Sequence, residues 1–269
     1  MIAWKYKLWR TAGAAAALSL AACGPTAEAP APAADGAATP VAPAGEAGEA
    51  AIGESGGEHG EAGVATAYAG LAGDQRTALR LQHLKGFLMV AARIAEGDTA
   101  EEAGVLVQQG LLEVYDPAAD QFGALDVAPV RAATDGAGVS RPDMAAKLQA
   151  GEAAINAARD QLDVDHAQLT VRMVDIAAGL YQHVVQPDFV DPIEYQHSMG
   201  AALAARDALV AGEAELRAEN ERAYDEGLSE LNTMIEATWP AAVVPQSPST
   251  YRDVLARASR VRLALYPFL

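Results

Sequence analysis

From Val64 to Leu269 the apolar residues recur at three- and four-residue intervals and nowhere alternate. Strands need a period of two, rich in Val, Ile, Thr and aromatic residues, so this pattern excludes a sheet and leaves helices. Asp74 is placed as an N-cap, and Leu84, Phe87, Leu88, Ala91 and Ile94 then repeat at helical spacing up to Gly97. Asp98 restarts the chain with Glu101 placed for a capping box, and Asp116-Pro117 breaks that second helix after Tyr115. A short helix is expected within 118–134, against the grain of Gly123 and Pro129.

Asp135-Gly136-Ala137-Gly138 reads as a loop, and Ser140 with Pro142 opens a helix carrying Leu148 and Ile155, with Leu162 next in that stripe. Leu169, Met173, Ile176 and Leu180 mark another helix, ending before Pro187. Asp191-Pro192-Ile193-Glu194 is the clearest start signal in the chain: N-cap, Pro at N1, Glu at N3. That helix is expected to reach Ala211 and to continue past Gly212 to Trp239-Pro240, with the charged stretch Glu213 to Glu226 facing solvent. A Pro-rich loop and a last helix follow, the latter placing Val254, Leu255, Ala258, Val261 and Leu265 on one face. The fold class is all-α, a helical bundle of about seven helices over residues 64–269.

The N-terminal quarter is different. Pro25 to Gly63 holds seven acids, no Lys or Arg, and Ile52 as its single large aliphatic residue. Such a segment buries too little apolar surface to offset its ordering entropy and reads as a tether, residues 23–63, of roughly 35 Å mean span. His59 within it reads as an incidental solvated residue. Ahead of it, Lys5, Lys7 and Arg10 precede the apolar run TAGAAAALSLAA, too short to span a bilayer. The run ends in Leu20-Ala21-Ala22-Cys23-Gly24, which resembles the bacterial lipobox. The resemblance implies a signal peptide over residues 1–22, cleavage before Cys23 and acylation of that cysteine, the only one in the chain. Several acyl chains make a stable anchor where one is marginal. Gly24, in place of the Asp common in lipoproteins retained at the inner membrane, implies the outer membrane, with the domain facing the periplasm or the cell surface. The alternative is an ordinary cleaved secretory signal that happens to hold a cysteine.

The formal charge of −17, from 36 acids and 19 bases, excludes a nucleic-acid partner, which needs clustered Lys and Arg. Loss of the three leader bases takes it to −20. No P-loop, dinucleotide fingerprint, nucleophile elbow or His-Glu-x-x-His motif occurs, and no enzyme is expected. Histidine supplies the constellation above background. Leu81-Gln82-His83-x-x-Gly86 and Tyr195-Gln196-His197-x-x-Gly200 match, and both lead into Ala-Ala-Arg, ending at Arg93 and Arg206. This internal match sets each histidine on the face of a glycine where a neighbouring helix approaches closely.

Glu194 and His197 have the Glu-x-x-His spacing of carboxylate-bridged metal sites in bundles, although Arg80 stands where a second such glutamate belongs. Two readings stay open. In one, His83 and His197 are buried seam residues; in the other, His83, Glu194 and His197 hold a divalent metal for uptake. No other cofactor is expected. His166 reads as a solvated residue at a helix start, and Tyr181, His183 and Asp188 as a second, structural polar cluster.

The Asp191 to Gln196 stretch, and the helix from His83 to Ile94 followed by Glu113-Val114-Tyr115, resemble segments of imelysin-like helical proteins. Members of that group are periplasmic or lipid-anchored and associated with iron uptake. Phe87, Leu106 and Gln109 occupy places where polar ligands would be looked for. The resemblance therefore implies a retained scaffold and a protein partner in the cell envelope, with the metal lost.

Overall fold

In a computed structural model the structure describes residues 61–97 and 99–269. The signal segment, Cys23, nearly all of the tether with His59, and Asp98 lie outside the described residues. Among the described residues nine α-helices follow one another: α1 (Glu61–Tyr68), α2 (Gly73–Gly97), α3 (Ala100–Gly110), α4 (Ala128–Ala132), α5 (Arg141–Arg159), α6 (His166–Tyr181), α7 (Pro192–Ala211), α8 (Glu213–Thr238) and α9 (Tyr251–Leu265). Among the described residues there is no strand, only an isolated antiparallel bridge between Val185 and Val190. No helix among them is long and apolar enough to cross a membrane.

The bundle is organised on α2 and α7. In α2 every residue from Leu81 to Leu88 is buried, which marks a helix surrounded on all sides rather than one with a single apolar face. α3 and α5 pack on α2, and α6 packs along α7. α1 lies on α6, while α9 packs against both α6 and α8. Ala177, Ala178, Ala201, Ala202, Ala204, Ala205 and Ala208 are buried in α6 and α7. Such short side chains let backbones approach closely, and each fully buried leucine between them contributes roughly 1.5–3 kcal/mol.

Several start signals behave as read. Ser140 accepts from the Asp143 backbone N–H, and Asp191 accepts from those of Ile193 and Glu194. Others are corrected. The first helix begins at Glu61, before the expected boundary at residue 64. Asp74 is not a cap: it lies in the first turn of α2 and accepts from the Asp163 backbone N–H instead. Thr99, not Asp98, caps α3 through the Glu102 N–H. The helix through Tyr115 loosens into a π segment, Leu111–Tyr115, before a 3-10 turn, Asp116–Gln121.

The expected short helix within 118–134 is confined to α4, because Gly123 takes a left-handed φ of 58° and ends the preceding turn. α7 and α8 are separate helices. Asn220, with φ −156° and ψ 86°, breaks α8, and its side chain caps the restart at the Ala223 N–H. The charged stretch of α8 faces solvent as expected, with Leu216, Ala223 and Tyr224 turned inward. Leu255 is exposed rather than on the buried face of α9, and Leu162 lies beyond the end of α5.

Candidate functional site

The internal sequence match becomes a helix crossing. A Cβ on Gly86 would stand 2.7 Å from the Gly200 carbonyl oxygen, and one on Gly200 would stand 2.6 Å from that of Gly86. The two backbones therefore touch at the equivalent glycine of each matched segment, and only glycine allows it. On one side of this crossing lie His83 and His197; Arg93 and Arg206 lie on the other.

At the histidine side, Phe87 packs on both imidazoles, with ring centroids 5.9 Å from His83 and 4.8 Å from His197. The Tyr68 hydroxyl lies 3.3 Å from His83 Nδ1, and Arg80 stacks 5.2 Å over the Tyr68 ring. The Gln109 side-chain oxygen lies 3.4 Å from His197 Nε2, and Glu113 of the π segment comes within 3.6 Å of Nδ1. Burial, with His197 and Arg80 as like-charged neighbours, pushes the His83 pKa down to about 3. Burial likewise brings His197 down to about 4, outweighing the opposing effect of Asp191. Both rings are neutral at physiological pH.

Among the described residues no group of three or more His, Cys, Asp or Glu side chains is placed to hold a metal ion. His83, Glu194 and His197 are thus not assembled as the expected ligand set. Phe87 fills the space against both rings, and the carboxylate beside His197 is Glu113, while Glu194 sits one turn back in α7.

Across the crossing the chemistry changes. Lys85, with a side chain only 2% exposed, bonds to Asp207 at 2.6 Å and to the Asn156 side-chain oxygen at 2.8 Å. The same Asp207 oxygen accepts from Arg159 at 3.0 Å and from Gln82 at 2.9 Å. Gln82 also donates to the Ala204 carbonyl and accepts from Arg159. Burial alone would raise the Asp207 pKa, but the Lys85 hydrogen bond and charge, with Gln82 and Arg159, hold it below the ordinary carboxylate value. Glu152, facing this network, is pushed upward by burial, with Asp207 adding to the shift and Lys85 opposing it.

Beside the network opens a cleft of about 330 Å³, lined by Met89, Ala92, Leu203 and Val210 with Arg93, Arg206, Glu152 and Asp207. Sequence reasoning missed this network. The available signal was Lys85, a lone cation inside an apolar run of α2, but its partners lie on α5 and α7, far along the chain.

The remaining singled-out residues are structural. His166 is not simply solvated: its Nδ1 lies 3.1 Å from the Ala208 carbonyl and its ring packs on Gly212. Tyr181, His183 and Asp188 are not gathered. Tyr181 turns inward onto Trp239 and donates to the Ser249 carbonyl, while Asp188 stays exposed. Comparison with protein-family models, with curated proteins and with solved structures gives no match, so the likeness to imelysin-like proteins rests on the quoted segments alone.

Proposed function

We propose that this chain is a lipoprotein anchored through acylated Cys23 in the outer membrane, whose helical domain binds a protein partner of the cell envelope and performs no catalysis. The observation that carries the binding role is the hairpin between α6 and α7. It presents Val185, Phe189, Val190 and Ile193 to solvent, with Phe189 59% exposed. The hairpin is not loose. Val185 and Val190 face each other in the bridge, the Gln186 N–H donates to the Phe189 carbonyl at 2.9 Å, and the Asp191 N–H donates to Val184 at 2.8 Å. Four large apolar side chains, exposed on a hairpin closed by backbone hydrogen bonds, form the core of a contact surface. The acids that flank them, Asp188, Asp191 and Glu194, suit a protein surface with a basic rim and disfavour anionic lipid.

A binding role also fits the carboxylates. Asp207 accepts from Lys85, Arg159 and Gln82, so this carboxylate is committed to holding α2, α5 and α7 together. The test has two arms. Metabolic labelling with an alkyne fatty acid should tag the wild-type chain and not Cys23→Ser, which should move to the soluble fraction. A photo-cross-linker at Phe189 should give one discrete protein adduct in intact cells, absent when it is placed at Glu219. Failure of lipid to appear on Cys23 sinks the anchor, and a smear or nothing from Phe189 sinks the docking surface.

A further inference from the structure

We infer that the cleft between α2 and α7 is a binding site for a small amphipathic monoanion, a carboxylate on a short apolar body, held between Arg93 and Arg206. Charge is the first ground. The cleft lining carries two guanidinium groups, Arg93 and Arg206, and two carboxylates, Asp207 and Glu152, with Lys85 and Arg159 bonded to Asp207 from beneath. A third carboxylate, Asp160, lies 3.9 Å from Arg159 and is not part of the lining. Asp207 is already committed to Lys85 and Arg159, so the two exposed guanidinium groups outnumber Glu152 as charges that an entering ligand can meet, and they favour an anion.

The state of the arginines is the second ground. Lys85 and Arg159 are already bonded to Asp207, whereas Arg93 and Arg206 make no hydrogen bond or ion pair among the described residues and are exposed at the cleft. Their guanidinium forks are therefore open, and the fork geometry matches a carboxylate. Shape is the third ground. Met89, Ala92, Leu203 and Val210 supply apolar walls, Leu203 buried and Met89 flexible enough to mould to a ligand. A volume of about 330 Å³ lies at the small end of the range for ligand pockets.

The floor is rigid as well. The Lys85–Asp207–Arg159–Gln82 network spans α2, α5 and α7 and fixes the helices that carry the two arginines. An anion entering the cleft meets preformed walls and little ordering cost.

The proposal is independent of the lipid anchor and of the hairpin. Its test is calorimetric titration of the full-length chain with octanoate, octanol and octylamine. Octanoate should bind saturably at one per chain, at least tenfold tighter than octanol, and weaken as salt is added; octylamine should show no saturable binding. Arg93→Gln/Arg206→Gln should lose tenfold or more in octanoate affinity. Val210→Glu, which sets a carboxylate at the rim, should do the same with both arginines intact. Equal affinity for octanoate and octanol, or unchanged octanoate binding in both variants, overturns the proposal.

Discussion

The two sides of the α2–α7 crossing derive from matched sequence segments and do opposite things. Toward the N-terminal ends of the match, His83 and His197 are packed on Phe87 and kept neutral by burial. On the opposite face, the same pair of helices carries Lys85, just ahead of Gly86, and Arg93, Arg206 and Asp207 beyond the glycines, lining or underlying an open cleft. The reciprocal contact at Gly86 and Gly200 joins the two regions. A repeat thus supplies a symmetric crossing, while the residues between the matched positions decide its character. Phe87 fills one side where Ala201 occupies the equivalent position, and Lys85 is buried where Met199 is its counterpart.

The sharpest way to break the charged side is Asp207→Asn. It leaves Lys85 and Arg159 buried without their carboxylate and should cost about 3–5 kcal/mol, near the lower figure because the Asp207 side chain is 26% exposed. Denaturant unfolding measures this, and a loss below about 1 kcal/mol would mean that the network is not holding the helices together. Gly200→Ala attacks the junction itself. The added methyl meets backbone, which cannot swing aside, so about 1–3 kcal/mol should be lost, or several degrees in Tm.

The histidine side is read by pH. For His83 and His197 the folded pKa lies below the unfolded value near 6.5, so the unfolded chain binds protons that the native one refuses. Their contribution to stability is full above about pH 6.5 and falls as the pH drops toward 4, by about 1 kcal/mol per pH unit for each ring. His83→Gln/His197→Gln should flatten the stability profile in that window relative to wild type. An unchanged profile would mean that the rings are not buried and neutral. The smallest effect is expected of Arg93→Gln/Arg206→Gln, within about 0.5 kcal/mol by thermal melting, because both side chains are exposed and bonded to nothing among the described residues.

The legibility of this chain depended on distance along it. Ser140 and Asp191 were readable as caps because a cap and its N–H lie two or three residues apart. That Gly86 and Gly200 each admit a close neighbour was readable too, since a glycine on a buried face invites one, but that they meet each other is seen only in the packed helices. Of the two readings open for His83, Glu194 and His197, buried seam residues or a metal set, spacing could not choose, because helical spacing orders residues on one helix only. The contact from the third element comes from the π segment, which brings Glu113 to His197. Asn220 was likewise read as helix interior, and its capping of Ala223 emerges only where the chain is seen to turn.

Local sequence by itself determined the helical class, most helix limits and the outward face of the charged stretch in α8, because those depend on interactions among residues within about one turn of each other. Tertiary structure decided which polar side chains meet. Lys85 finds Asp207 more than a hundred residues away, on a helix whose crossing is set by two glycine backbones. A buried charge survives only where such a crossing delivers its partner within bonding distance, and that distance is a property of the packed helices rather than of either helix alone.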